Sequence, residues 1–379
     1  MLAHFAHHLL TALPVPLLPF IRDEFALDYT QSGLIISAFS LSYGIGQLPS
    51  GWLTDRIGPR ILITLGICGV ALSGLLVGLS QTYILMIVFL VLMGLAGGGY
   101  HPAAPPLISA SVDTKNQGRA LGLHGSGGSA SYFLVPLIGA AIATAWGWRG
   151  SFIGLAIPAF IFGAVFYVLL GRRSDMKKAE HRITSSLERT PPPQNHLRRL
   201  VSFIILSTFT QAVIFSTISF VPLFMVDYFG VGKETAAAFM ALIFSCGLWA
   251  SPLGGYLSDR LGRVPVMLVA CFAAGPLIYL LNLVPYGLGM GALLIAIGII
   301  MYTRMPISEA YIIGQTSKHH RSTILGIYYF TGMEGSGILT PVIGYLIDQF
   351  GFYTSFTIAG AAVVTITLAC SIFLWGSRD

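Results

Sequence analysis

The sequence predicts an all-α membrane protein, with twelve transmembrane helices in two pseudo-symmetric six-helix bundles. Three observations predict it: a charge-poor composition, twelve apolar runs of membrane-spanning length, and an internal repeat at one constant offset. Of 379 residues only 9% are charged and 55% are hydrophobic, and the mean hydropathy is +0.78. A soluble domain carries about 25% charged residues, so the solvent implied here is lipid.

Apolar runs of about 20 residues are long enough to cross a bilayer as helices. They lie near 3–20, 30–53, 61–80, 83–109, 119–144, 150–171, 200–226, 235–257, 264–284, 288–314, 322–346 and 353–376. Together they occupy nearly the whole chain and leave no room for a soluble catalytic domain. The first run has no Lys or Arg before Phe20 and contains Pro14, Pro16 and Pro19. It lacks the basic start of a signal peptide and reads as a retained helix.

Basic residues of short loops set orientation. With both termini cytoplasmic, 17 of the 21 Lys and Arg fall inside: Arg56, Arg60, Lys115, Arg119, eight between 172 and 199, Arg260, Arg263, Lys318, Arg321 and Arg378. Only Arg22, Arg149 and Lys233 fall outside. The net charge of +6 is therefore a topology signal, consistent with lipid contact and not with nucleic-acid binding. Cys68, Cys246, Cys271 and Cys370 all lie in spans without paired spacing and read as packing residues.

The polar stretch 172–199, rich in Lys, Arg and Pro, divides the spans six and six. The domain reading is a first bundle at 1–171, a cytoplasmic basic linker at 172–199 and a second bundle at 200–379. Gly51-Trp52-Leu53-Thr54-Asp55-Arg56-Ile57-Gly58 returns as Gly255-Tyr256-Leu257-Ser258-Asp259-Arg260-Leu261-Gly262, displaced by 204 residues. Pro102 and Pro306 share that displacement, as do Gly147 and Gly351. One offset across separate regions marks a duplication.

Gly51, Asp55, Arg56, Gly58 and Arg60, between the second and third spans, resemble the loop signature of the major facilitator superfamily. Gly255, Asp259, Arg260, Gly262 and Arg263 form its second copy, with the last basic residue one place earlier. Independently of the family, a small residue allows close helix approach. A boundary acid can hold a helix N-terminus, and an Arg can pair with an acid across the boundary. Such contacts would gate between two bundle arrangements; the plainer alternative is that the Arg residues only mark the cytoplasmic side. The resemblance implies two bundles rocking around a central site lined by helices one, four, seven and ten. Tyr100-His101-Pro102, with the glycine-rich start of helix five, is similar to fosmidomycin-resistance-type exporters. The fourth helix lacks the Arg of many proton-coupled antiporters.

Three acid or base residues lie deep in spans: Arg304, Glu309 and Glu334. An ionisable residue at such depth is a functional candidate. At 1.5 Å per residue, Arg304 and Glu334 both lie roughly 20 Å from the cytoplasmic ends of their helices. Three readings stand open: an Arg304–Glu334 ion pair, Arg304 gripping an anionic substrate beside a titrating acid, and a carboxylate holding a cationic substrate. In the first half histidines take this place: His101 and His124, with His7 or His8 of helix one; His4 reads as interfacial. Tyr100, Gln211, Tyr302 and Tyr311 are further lining candidates. Pro102 and Pro306, each removing a backbone hydrogen bond, predict bends facing a wet cavity. The glycines 94, 97, 98, 99, 122, 125, 127 and 128 lack a following Gly-Lys-Ser/Thr, so they predict close helix packing rather than a nucleotide loop.

These features predict a secondary transporter of a small organic molecule across the cytoplasmic membrane, proton-coupled, with efflux placed ahead of uptake. A proton/organic-anion symporter anchored by Arg304 is the alternative, and a lipid scramblase or intramembrane enzyme is the alternative from another class. No nucleophile–base pair and no metal-ligand spacing occurs in the spans. The expectation is therefore of no enzyme, no cofactor beyond the proton gradient, no metal and a monomer in contact with lipid.

Overall fold

The computed structural model describes residues 1–113, 116–172, 196–316 and 321–375; most of the basic linker thus lies outside the described residues. Among the described residues every regular element is helical. The first half contains α1 (Leu2–Thr11), α2 (Pro14–Phe25), α3 (Tyr29–Ile57), α4 (Pro59–Leu79), α5 (Tyr83–Gly97), α6 (Tyr100–Ala110) and α7 (Gln117–Arg172). The second contains α8 (His196–Ser219), α9 (Val221–Phe229), α10 (Lys233–Ser245), a 3₁₀ turn at Cys246–Leu248, α11 (Ala250–Leu261), α12 (Arg263–Leu280), α13 (Leu288–Gln315) and α14 (Arg321–Leu374).

Eight stretches among the described residues are long and apolar enough to cross a membrane, and α10 with α11, bent by 43°, makes a ninth. Two of the eight lie in α7 and α14 and run for 53 and 51 residues, about twice a bilayer's thickness. Each of these is two spans joined at a glycine of left-handed backbone, Gly147 (φ +76°) and Gly351 (φ +74°). Only glycine takes that conformation without a Cβ clash, so the chain turns there without a loop. The remaining span is α3, 29 residues long and richer in Gln, Ser and Gly. The total is consistent with the twelve spans expected.

Packing groups the chain into two compact units. Met1–Leu27, the chain from Leu34 through α7, and Gly232–Ala241 form one; Asp28–Gly33, α8, α9 and the chain from Leu242 onward form the other. In the first unit α7 packs along both α1 and α4; in the second, α14 lies along α8 and α12.

Four spans expected as continuous are broken, among them the eighth, at the bend after the 3₁₀ turn Cys246–Leu248. The first breaks at Ala12 and Leu13, where Pro14 opens α2. The fourth breaks at Gly98 and Gly99 between α5 and α6. The seventh breaks at Phe220, with Pro222 in the first turn of α9. A proline in a first turn removes a donor that has no intrahelical partner. Pro102 likewise falls in the first turn of α6, so the break precedes it. Pro306 lies inside α13, which continues through it without interruption; the two equivalent prolines have different local structures.

The glycines divide equally sharply. A Cβ on Gly94 would lie 2.6 Å from the Phe39 carbonyl oxygen, and one on Gly98 would lie 2.8 Å from Gln47 N, so α3 and α5 touch backbone to backbone. In the second unit a Cβ on Gly254 would meet the Thr303 carbonyl oxygen at 2.7 Å. Gly122 and Gly125 have nothing within 4 Å and do not perform the close packing expected of them.

Candidate functional site

In the first unit, five histidines and two tyrosines converge. His4, His7 and His8 share one face of α1 by helical spacing, His101 comes from α6 and His124 from α7. Ring centroids lie 4.3 Å apart for the stacked pair His4–His124 and 5.1 Å for His4–His101. His7 stacks on Tyr100 at 4.3 Å. Gly128 makes room for this assembly, since a Cβ there would sit 2.6 Å from the His4 ring.

Hydrogen-bond partners fix which nitrogens carry protons, because a carbonyl can only accept. His4 Nδ1–H donates to the His124 carbonyl (2.9 Å), leaving Nε2 as the lone pair of the neutral ring. His7 Nδ1–H donates to the Gly66 carbonyl (2.9 Å), and its Nε2 accepts from Tyr43 OH (3.1 Å). His8 Nε2 therefore donates to His4 Nε2 (3.1 Å), while its Nδ1 accepts from Thr11 Oγ1 (2.9 Å). Thr11, His8, His4 and the His124 carbonyl thus form one polarised chain. The Tyr100 hydroxyl and His124 Nε2 are buried without a partner.

His4, read from the sequence as interfacial, lies at the centre of this cluster and is 9% exposed. A lone histidine near a chain start carries no depth information. Its signal was the i, i+3, i+4 spacing with His7 and His8, which places all three on one face.

In the second unit, Arg304 on α13 is 1% exposed. Its Nη1 donates to Gln211 Oε1 (3.3 Å) and its Nη2 to the Ser207 carbonyl, both on α8. Its Nε is buried with no acceptor. Ser207 Oγ lies 2.7 Å from Ser308 Oγ and 3.3 Å from Tyr328 OH, so the guanidinium belongs to a polar network of α8, α13 and α14. Ser207, Ser308 and Tyr328 escaped the sequence reading, because Ser and Tyr are common in spans and acquire meaning only beside the arginine.

The ion pair between Arg304 and Glu334 does not form. No carboxylate pairs with Arg304 among the described residues, and Glu334 Oε1 is buried without a donor. Glu309 instead accepts from Tyr329 OH at 2.7 Å. Tyr311 stacks on Phe203 with ring centroids 4.0 Å apart and belongs to the apolar core. Tyr302 is partly buried on α13.

The signature loops are built on helix starts. Gly58 (φ +84°) and Gly262 (φ +93°) precede α4 and α12. Arg60 Nε donates to the Tyr167 carbonyl (3.0 Å) and lies over the Tyr167 ring, 3.7 Å from its centroid. Arg263 donates to the Ala310 carbonyl (3.0 Å). Arg56 lies over Trp52 and Arg260 over Tyr256. The expected pairing of these arginines with acids is replaced, among the described residues, by carbonyl and ring contacts. Asp259 and Gly255 lie on α11. Gly51 and Asp55 are helical, and their side-chain positions lie outside the described residues.

A second polar knot of the first unit has no counterpart among the sequence expectations. Arg149 donates to the Ser80 carbonyl through Nη2 (2.8 Å) and pairs with Glu24, which also accepts from Trp148 Nε1 at 2.6 Å.

Comparison with known proteins fits these two units. The sequence model described as Major Facilitator Superfamily matches residues 1–302 and 205–379. The chain is 25% identical to the hexuronate transporter of Bacillus subtilis (strain 168), over 94% of this chain and 88% of that protein. It is 22% identical to the fosmidomycin resistance protein of Escherichia coli (strain K12), over 92% of this chain and 85% of that one. Among solved structures, a bacterial homologue of the human lysosomal transporter Spinster, in an inward-facing and occupied conformation, superposes with a TM-score of 0.77. It has 18% sequence identity, and the match covers 99% of this chain and 94% of the other.

Proposed function

Since the chain belongs to the major facilitator superfamily, we propose that it is a secondary transporter that moves a small organic anion across the cytoplasmic membrane, with Arg304 as the anchor for the anionic group. One observation carries the reading: a buried guanidinium with no carboxylate partner among the described residues and an Nε without an acceptor. A charge buried without its counter-ion costs several kcal/mol, and an anionic substrate is the missing counter-ion. The planar fork of Arg suits a carboxylate bidentately. Likeness to a hexuronate transporter, whose substrate is a carboxylate, supports the same class.

The proton gradient supplies the energy in this proposal, through Glu334, and no cofactor is needed. A proton on Glu334, whose Oε1 is buried without a donor, travels with the anion, which makes the protein a symporter. Likeness to the fosmidomycin resistance protein favours export as the second reading. The protein acts as a monomer surrounded by lipid, with both termini cytoplasmic. A transporter is preferred to an intramembrane enzyme or lipid scramblase because the family model matches residues 1–302 and 205–379 and a transporter relative is matched over 94% of this chain.

Purified protein in liposomes with an imposed pH gradient tests this reading against hexuronates, dicarboxylates and cationic compounds. Saturable flux of a carboxylate is expected. Arg304→Lys, which keeps the charge but loses the fork, should raise KM by about tenfold or more, as loss of a charge-assisted hydrogen bond does. Flux of a cation only, or a carboxylate KM indifferent to Arg304→Lys, would overturn it.

A further inference from the structure

The histidine cluster of the first unit has a chemistry of its own. We propose that His4, His8 and His101 form a transition-metal site, with Zn²⁺ as the ion that fits it. The ligand nitrogens of these three rings all lie within 4.8 Å of one another. His4 and His8 stand one helical turn apart on α1, the i, i+4 spacing by which a helix presents two imidazoles to one ion. His101 adds the third from α6. Three neutral imidazoles with one open position are a known Zn²⁺ donor set.

Geometry and protonation favour the His4–His8 pair, towards which His101, within 4.8 Å, closes by up to about 1.5 Å on binding. The Nε2 atoms of His4 and His8 are 3.1 Å apart. Two nitrogens on a tetrahedral Zn²⁺ at about 2.0–2.1 Å stand about 3.3–3.4 Å apart, so this pair needs to open by only a few tenths of an ångström. His4 already presents its Nε2 lone pair, because Nδ1–H is committed to the His124 carbonyl. His8 reaches the same tautomer by reversing one bond: Nδ1 becomes the donor to Thr11 Oγ1, now 2.9 Å away, and the hydroxyl rotates to accept. These are the outer contacts that orient metal-binding histidines. Neither ring nitrogen of His101 has a hydrogen bond among the described residues. His7 is excluded, since the Gly66 carbonyl and Tyr43 hydroxyl engage both of its nitrogens. The expectation of no metal overlooked the i, i+4 pair His4–His8, whose third ligand, His101, lies more than ninety residues further on and is brought beside it only by the fold.

Zn²⁺ is spectroscopically silent, so Co²⁺ is the probe. Full-length protein purified without a histidine tag should take up about one Co²⁺ per chain, with the intense visible absorption of a tetrahedral site, bleached by added Zn²⁺. His8→Ala and His101→Gln should each abolish those bands while helicity by circular dichroism and monodisperse elution are retained. Thr11→Val should weaken Co²⁺ binding by about 10–100-fold, as loss of an outer contact does. Replacing His181, His196, His319 and His320 together by Gln should leave the bands intact. If His8→Ala does not fold, His101→Gln decides. Absence of tetrahedral bands in the parent protein would overturn the proposal, as would their persistence in His101→Gln or their loss in the quadruple variant. The cluster would then be a hydrogen-bonded histidine pair and nothing more.

Discussion

Arg304 Nη1 donates to Gln211 Oε1 at 3.3 Å, joining α13 to α8 through a charge and a neutral amide. That pairing leaves the positive charge without a carboxylate partner among the described residues. Gln211→Glu would place a carboxylate where the amide oxygen stands and neutralise the guanidinium from within. The variant should remain as stable as the parent, yet bind carboxylate substrates about tenfold or more weakly, a charge-assisted contact being worth about 1.5–3 kcal/mol. Equilibrium binding to the purified protein and its thermal unfolding in detergent together check this.

Glu334 offers a separate handle on coupling, because its Oε1 is buried and has no donor. Glu334→Gln keeps the shape and removes the exchangeable proton. Accumulation driven by a pH gradient should be lost, while exchange of labelled for unlabelled substrate continues. Paired flux measurements in one batch of liposomes read both, and accumulation at parental levels would take Glu334 out of the mechanism.

Two glycines of similar sequence context should respond oppositely to alanine. Gly94 is wedged against α3, where an alanine methyl would meet backbone atoms of Phe39 and Tyr43 at 2.6 and 2.8 Å, whereas Gly125 has open space around it. Gly94→Ala should destabilise by about 1–3 kcal/mol through overpacking. Gly125→Ala should be neutral or stabilise by up to about 1 kcal/mol, the helix-propensity difference. Thermal unfolding of the two variants side by side distinguishes them.

The turns inside α7 and α14 predict a matched pair of effects. Gly147 (φ +76°, ψ 163°) and Gly351 (φ +74°, ψ 173°) occupy a backbone region that is essentially glycine-only, where an alanine meets a cost of about 1–3 kcal/mol. Gly147→Ala and Gly351→Ala should each lower stability by that amount, and their effects should add in the double variant because they lie in different units. Unfolding of the single and double variants measures it.

Much of this architecture was legible in the sequence because lipid imposes strict rules. Apolar runs and the 204-residue offset each report a one-dimensional property, and the helices follow them closely. The breaks at Leu13, Gly99 and Phe220 were less legible: Pro14, Pro102 and Pro222 announce irregularity, but only packing selects whether a helix ends before the proline or, as at Pro306, continues through it.

By itself the sequence determined the spans, the duplication, and the presence of deep charges in one half and histidines in the other. Azimuth was left to the tertiary structure. Depth along a helix is counted in residues, whereas the direction a side chain faces turns by about 100° at each one. Arg304 and Glu334, equal in depth, therefore do not pair, and Arg304 meets Ser207 and Gln211 instead. The same rotation, applied on α1, α6 and α7 together, gathers His4, His8, His101 and His124 into one cluster, which no count along the chain contains.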